Sequence, residues 1–444
     1  MRVVFLTPGT GNFHCGSCLR DHDLVRGLRR LGHDALMAPL YLPHVLDHDA
    51  GPDAFHPVLL GGISTCLHHA AGLFRRLPAW ADRVLDHPRL LHWAARRAGM
   101  TSARSLGSLT LGMLRGESGT QRKQLARLVT WLRQLQDAAG PIDAVVLSNT
   151  LLVGAARTLR DALQLPIICT LQGEDTFLDA LPPPYRDLCW AEIGPRCDDV
   201  ELFTAVSEHH ARIMRQRLAL AESRVRAIHN GMELSDYVVA RKPDPPTVGY
   251  LARMCEAKGL PRLVEAFITL IRRGHVPAST RLLVVGAMTP SDQSLMREMQ
   301  QKLDTAKLGV AYEFRPNVSR AEKIALLSQM SVLSVPATYG ESFGLYVLEA
   351  LAAGVPVVQP RSGAFPEVLQ LTGGGVLVEP DDTEALANGI ESLLLDPARA
   401  TALGREGQRR VFDHFTADRM AADFEAVLMA LQSPATPAPV GGPA

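Results

Sequence analysis

Short apolar runs alternating with helix-sized amphipathic segments fill this chain, and that alternation leaves few folds open. The runs cover 3–7, 35–42, 144–147, 167–171 and 202–206, then 247–251, 282–285, 310–314, 332–335, 356–358 and 376–378. They are apolar on both faces, as strands must be when helices cover a sheet on each side, so mostly parallel α/β sheets are expected. A length of 444 residues exceeds what one core supports and fits two domains of about 200 residues each. The two sets of runs flank Asp236-Tyr237 and Arg241-Lys242-Pro243-Asp244-Pro245-Pro246, a polar, proline-rich stretch that reads as the linker.

Composition narrows the class. The hydrophobic share of 47% is ordinary for a soluble globular protein, and no apolar run reaches the roughly 18 residues of a membrane span. The start, Met1 to Pro8, reads as a buried strand rather than a signal peptide, which leads to the expectation of a cytoplasmic protein. Seven scattered cysteines suit a reducing compartment better than a disulfide framework.

Two segments carry chemistry. After the run 332–335 comes Ala337-Thr338-Tyr339-Gly340-Glu341-Ser342-Phe343-Gly344-Leu345, with Glu349 inside the helix that follows. Gly344 lets the backbone approach a ligand, and the helix it opens presents free N–H groups and a positive dipole end. An anion beside hydroxyls, such as a nucleoside diphosphate carrying ribose and sugar, suits such a place. Read alone, the segment fits equally a strand–loop–helix whose acids face water. The second segment is Leu251-Ala252-Arg253-Met254-Cys255-Glu256-Ala257-Lys258-Gly259-Leu260, between a strand and an amphipathic helix over 261–272. It sets Arg253 and Lys258 at the C-terminal edge of a sheet, where α/β proteins bind ligands. Arg presents a planar fork to phosphate oxygens and Lys a mobile point charge.

Together the two segments resemble the retaining glycosyltransferases of family 4, the glycosyl transferases group 1, with the resemblance strong over about 205–415. It implies the GT-B architecture: two Rossmann-like domains with mostly parallel sheets facing an inter-domain cleft. The implied division is an acceptor-side domain over 1–235 with a basic helical insertion at about 61–140, and a donor domain over 236–415. A helix over 416–432 would cross back to the first domain, and the low-complexity segment 433–444 would form a disordered tail. Ile228-His229-Asn230-Gly231-Met232-Glu233 resembles the family's hinge.

The resemblance also implies residue roles. Arg253 and Lys258 would hold the donor diphosphate, and Glu349 the ribose hydroxyls. Glu341, Ser342, Phe343, Gly344 and Leu345 would line the transferred sugar and leaving phosphate, with base contacts near Asn317 and Val318. In the first domain, Gly11 and Gly16 belong to a glycine-rich loop that approaches both substrates. Gln172 stands where many members carry a histidine against the donor sugar; it exchanges hydrogen bonds but does not titrate near neutral pH. The implied activity is transfer of a hexosyl group from a nucleotide-diphosphate sugar, with retention at the anomeric carbon and no divalent metal. Glu341 is open to two roles, nucleophile or electrostatic support. The acceptor is open among a sugar, a lipid-linked molecule and a small molecule.

Other readings compete at several points. Cys15-x-x-Cys18 permits thiol or, with His14 or His22, zinc chemistry, but no second cysteine pair follows and small residues packed beneath a substrate explain it. Asp21-His22-Asp23 and Asp47-His48-Asp49 spell a metal-binding Asp-x-Asp, yet the first falls in a helix where i and i+2 diverge. Between Arg75 and Arg133, eleven arginines and Lys123 face only Asp82, Asp86 and Glu117, interleaved with Trp80, Trp93 and Trp131. That face suits peripheral contact with anionic lipid, or equally a helical insertion whose tryptophans fill the core. No base-reading motif accompanies it, so nucleic acid is not an expected partner. A sugar-nucleotide epimerase and a non-catalytic nucleotide-sugar-binding protein share the architecture and remain alternatives.

Overall fold

The computed structural model describes residues 1–9, 16–41, 103–237, 243–307 and 312–432. Among these, two sheets of six strands each form the frame, and every strand pair is parallel. The first sheet runs β2-β1-β3-β4-β5-β6, from β1 (Arg2–Thr7), β2 (Asp34–Pro39), β3 (Ala144–Leu147), β4 (Ile167–Leu171), β5 (Leu202–Ala205) and β6 (Val225–Ala227). The second runs β12-β11-β10-β7-β8-β9, from β7 (Thr247–Leu251), β8 (Arg281–Gly286), β9 (Tyr312–Pro316), β10 (Val332–Leu333), β11 (Val357–Pro360) and β12 (Gly375–Val378). Each sheet therefore reverses direction once, between β1 and β3 in the first and between β7 and β10 in the second. Crevices open at the carboxyl ends of the strands at such reversals, and both crevices border one cavity.

The alternation in the sequence explains the interior. Strands β1, β3 and β4 are buried along almost their whole length, so a core lies on each face of the first sheet. Val4, Leu6, Val145 and Leu147 join one core; Val3, Phe5, Ala144 and Val146 join the other. The helix Ala417–Gln432 supplies Met420, Ala421, Phe424 and Leu428 to that second core, although it follows the second sheet in the chain. Phe424 packs on Phe5 with ring centroids 5.6 Å apart. The return is pinned at its start, where Met232 N donates to Phe415 O and Ala417 N donates to Met232 O, each at 3.0 Å.

Several strand limits differ from the sequence reading. The run 332–335 forms only a two-residue strand, because the chain turns from the ladder towards the loop before Gly344. The run 35–42 ends its pairing at Pro39, and β9 runs on to Pro316, past the expected end at 314. β6 was not anticipated, since three residues reading Val-Arg-Ala carry too little apolar pattern to stand out. Positions 10–15, 42–102, 238–242, 308–311 and 433–444 lie outside the described residues, the start of the expected strand 310–314 among them. With them fall Gly11, His14, Cys15, Trp80, Trp93, the second Asp-x-Asp and the tail. Of the basic stretch, Trp131 packs against the first domain's core and Arg115 pairs with Glu192 at 3.2 Å. Cys169, Cys189, Cys197 and Cys255 are free thiols. Among the described residues no helix is long and apolar enough to cross a membrane.

Gly27, in the first helix (Gly16–Arg30), lies under the returning helix. A Cβ there would meet Ala421 Cβ at 2.7 Å and Ala417 O at 2.8 Å. Gly27→Val is expected to lose about 1–3 kcal/mol of stability through overpacking, measured by urea unfolding. A variant as stable as the parent would show that the returning helix is not clamped at this point.

Candidate active site

The second sheet builds one wall of the cleft. Beyond β7 the chain bends through Arg253 into a short turn, Glu256–Lys258, that ends with Lys258. Beyond β10 it bends through a loop to Gly344, which sits at φ 87° and opens the helix Leu345–Ala352. Only glycine takes that conformation without strain, and a Cβ would also meet the Phe365 ring at 3.0 Å. The strand reversal sets these two loops side by side. Lys258 Nζ consequently lies 2.5 Å from Glu341 Oε2. Tyr346 OH and Tyr339 OH donate to the same oxygen at 2.9 and 3.2 Å.

Electrostatics lock this pair. Burial would raise the Glu341 pKa, but the adjacent Lys258 charge and the hydrogen bonds from Lys258, Tyr346 and Tyr339 together outweigh it and hold the carboxyl below its ordinary range. Burial would likewise lower the Lys258 pKa, and the Glu341 carboxylate reverses it, holding the ammonium above its ordinary range. The ammonium also lies 5.1 and 5.4 Å from the ring centres of Tyr339 and Tyr346. An ammonium has three N–H donors, so after Glu341 is served others are left for phosphate oxygens.

Arg253 stands at the same edge with its own carboxylate. Nη2 lies 3.0 Å from Asp292 Oδ1, and Nε donates to Oδ2 at 3.2 Å. Asp292 is fixed in turn by a capping box with Thr289; burial would raise its pKa, but the hydrogen bonds from Arg253 and Thr289 and the Arg253 charge together lower it. The Arg253 side chain is 51% exposed, which leaves guanidinium N–H groups facing the cleft. Further along, Glu349 lies 2.6 Å from Lys323 Nζ and accepts from Tyr237 OH at 3.1 Å. Val318 is buried behind this region, after Asn317 at φ 55°, whose amide brackets the backbone of Met288.

The first sheet builds the opposite wall. Gly16 and Arg20 come from the first helix, after β1; Gln172 comes from the end of β4. Gln172 lines the cavity. Its Nε2 donates to Ser148 O at 2.7 Å and to Asp21 Oδ1 at 3.2 Å, so the amide supports the floor of the cleft. Asp21 is buried and burial raises its pKa, while Asp23 accepts from Glu233 N at 3.2 Å; the two acids of that Asp-x-Asp diverge. Among the described residues no group of three or more His, Cys, Asp or Glu side chains is gathered as a metal site.

Contacts across the cleft join the walls. Ser207 Oγ donates to Ser342 O at 2.7 Å, and Ser342 Oγ donates to Gln172 O at 3.3 Å. Glu367 accepts from the backbone N–H groups of Glu208 and His209 and lies 2.6 Å from His229 Nε2. Of the residues named from sequence, Gly16, Gln172, Arg253, Lys258, Val318, Glu341, Ser342, Phe343, Gly344, Leu345 and Glu349 all line a single cavity of about 340 Å³. Gly11 lies outside the described residues. The sequence reading missed Asp292, Lys323, Tyr339, Tyr346 and Arg20. Only Tyr339 and Tyr346 had a signal, flanking Glu341 inside the motif; Asp292 and Lys323 come from distant helices with no recognisable spacing.

Comparison with known proteins places the chain in a family. The model for glycosyl transferases group 1 matches residues 234–410, and that for Glycosyltransferase Family 4 matches 110–236, so the matches together run through most of the chain. The chain belongs to glycosyltransferase family 4. Similar curated proteins include two from Mycolicibacterium smegmatis. A GDP-mannose-dependent alpha-(1-6)-phosphatidylinositol monomannoside mannosyltransferase is 34% identical over 180 residues, 39% of this chain and 44% of that protein. An alpha-maltose-1-phosphate synthase is 31% identical over 229 residues, 46% and 56% respectively. The chain thus spans about half the length of the curated relatives it matches. Among solved structures, sucrose-phosphate synthase from Thermosynechococcus elongatus superposes with a TM-score of 0.68 at 18% identity, covering 97% of this chain and 99% of that one. Anabaena HepE, solved with UDP and glucose, gives 0.65 at 16% identity, covering 97% and 100%. Both are GT-B proteins, and this family 4 chain has their fold.

The buried pair sets a stability prediction. The Glu341 contribution is present above its ordinary value of 4.5 and is lost as pH falls through the lower folded value; the Lys258 contribution is present below 10.5 and lost above it. Lys258→Met is expected to cost about 3–5 kcal/mol near neutral pH, because it strands a buried carboxylate, and Lys258→Met with Glu341→Gln is expected to recover part of that. Denaturant unfolding of both variants checks it; a double variant no better than the single one would show that the pair is not coupled.

Proposed function

We propose that the chain transfers a hexosyl group from a nucleoside-diphosphate sugar to an acceptor hydroxyl. The observation that carries this reading is the convergence of Arg253, Lys258 and the open start of helix Leu345–Ala352 on one cavity, with Glu349 further along it. Two cations and a helix N-terminus suit a pyrophosphate, and a carboxylate beyond them suits ribose hydroxyls. The relative named as GDP-mannose-dependent and the neighbour solved with UDP and glucose support such a donor.

In the reaction the bond between the anomeric carbon and the phosphate oxygen breaks, and its electrons leave with the nucleoside diphosphate. The acceptor oxygen bonds to the anomeric carbon, and its proton passes to the departing phosphate. Arg253, Lys258 and the N–H groups at Gly344 and Leu345 stabilise the negative charge most at the transition state, where it is greatest. These groups do the work of a divalent cation, so transfer is proposed to need none. Departure and attack on one face of the sugar give retention. Glu341 is already paired with Lys258 and poorly basic, which suits it to holding that ammonium rather than to attacking the sugar.

A thermal-shift panel of nucleotide sugars in the presence of EDTA tests this first. One diphosphate sugar is expected to stabilise the chain, and Arg253→Ala to abolish the shift. With that donor and an acceptor, Lys258→Ala is expected to lower kcat by about 100-fold or more. No shift with any nucleotide would overturn the reading, and conversion of the donor alone into an isomeric nucleotide sugar would favour an epimerase.

A further inference from the structure

One buried cation takes no part in the reaction above. Arg20, on the first helix, is 1% exposed and lines the cleft cavity on the wall built by the first sheet. Its Nη1 donates to Asp21 Oδ1 at 2.9 Å, while Nε and Nη2 are buried with no hydrogen-bond partner among the described residues. Asp21 is already heavily engaged, since it also accepts from Ser148 Oγ and Gln172 Nε2. Buried N–H groups on a charged side chain are costly to leave unmet. The planar guanidinium is shaped to meet two oxygens of one carboxylate or phosphate with adjacent N–H groups.

The placement separates this group from the donor diphosphate. Arg20 belongs to the β1/β3 reversal of the first sheet, whereas Arg253 and Lys258 belong to the β7/β10 reversal of the second. Through Asp21 it is tied to Gln172, which lines the same cavity on the wall opposite Arg253 and Lys258. The first helix begins directly above it. An ideal Cβ on Gly16 would stand 3.7 Å from Leu345 Cδ1, so the starts of the first helix and of Leu345–Ala352 face each other across the cleft.

We propose that Arg20 forms an oxyanion subsite on the first-domain wall, taking a phosphate or carboxylate borne by one of the two reacting sugars. The proposal rests on the transferase reading and adds a substrate class to it: either the acceptor or the transferred sugar is itself anionic. The fork formed by Nε and Nη2 holds two oxygens of that group, and Asp21, Ser148 and Gln172 hold the guanidinium in place.

The test uses the full chain saturated with whichever of UDP, GDP or ADP stabilises it most. Inorganic phosphate is then titrated against chloride at matched ionic strength, with melting temperature as the readout. Phosphate is expected to add a further shift; Arg20→Lys should weaken its apparent affinity about 10-fold or more, and Arg20→Gln should remove the effect. The nucleotide shift should persist in both variants, which also reports that they are folded; if Arg20→Gln does not fold, Arg20→Lys decides. Glucose 6-phosphate and glucuronate then serve as acceptor probes, and UDP-glucuronate against UDP-glucose as donor probes. Arg20-dependent stabilisation by the free sugars assigns the anion to the acceptor, and by the uronosyl nucleotide to the transferred sugar. A phosphate effect no larger than that of chloride, or one unchanged by Arg20 substitution, overturns the subsite. Loss of the nucleotide shift in Arg20→Lys also overturns it, by placing Arg20 on the diphosphate. A phosphate effect that depends on Arg20, in a chain that no nucleotide stabilises, would instead sink the transferase reading and leave the subsite standing.

Discussion

The buried contact between Lys258 and Glu341 governs the donor wall. A cation meant for phosphate must be held in place before the phosphate arrives, yet must not be neutralised beyond use. Glu341 meets the first need by taking one N–H of the ammonium, with Tyr339 and Tyr346 sharing the carboxylate's charge. The three donors of an ammonium meet the second. Arg253 solves the same problem with Asp292, which is itself fixed by the capping box with Thr289. Each cation is thus pre-positioned by an acid, and reorganisation at the moment of reaction is small.

This arrangement depends on strand order. Lys258 follows β7 and Glu341 follows β10, and they meet only because these strands are neighbours although β8 and β9 intervene in the chain. Closure of the cleft depends on a second layer of contacts. Ser207, at the start of the helix Glu208–Arg217 in the first domain, reaches Ser342 O beside the donor loop, and Glu367 from the second domain meets the first turn of that helix and His229. The helix Ala417–Gln432 then returns the chain to the first core, where Phe424 meets Phe5. The two walls are therefore tied at the cleft and behind it.

Much of this frame could be read from residue order. Strands β3, β4 and β7 appear at the expected limits because long apolar runs leave little choice of register. That Arg253, Lys258, Glu341 and Glu349 would share one cavity was legible because they lie in two compact segments with characteristic glycines. What stayed hidden was set by tertiary contact. Asp292 and Lys323 reach Arg253 and Glu349 from separate helices, and no local pattern records such a meeting. Nor does residue order show that the Nε2 of Gln172 meets Asp21 and Ser148, which the order of β1, β3 and β4 brings beside it. Arg20 looked like one more charge on a helix; only the structure reveals that two of its nitrogens are buried without partners among the described residues.

Calorimetric titration of the full chain with a nucleoside, its monophosphate and its diphosphate measures the donor wall directly. If Arg253, Lys258 and the start of the Leu345 helix together hold a pyrophosphate, the diphosphate binds at least about 10-fold more tightly than the monophosphate, and Lys258→Ala removes that difference while leaving the weaker nucleoside term. Equal affinities for the mono- and diphosphate, or a difference indifferent to Lys258, would contradict the account.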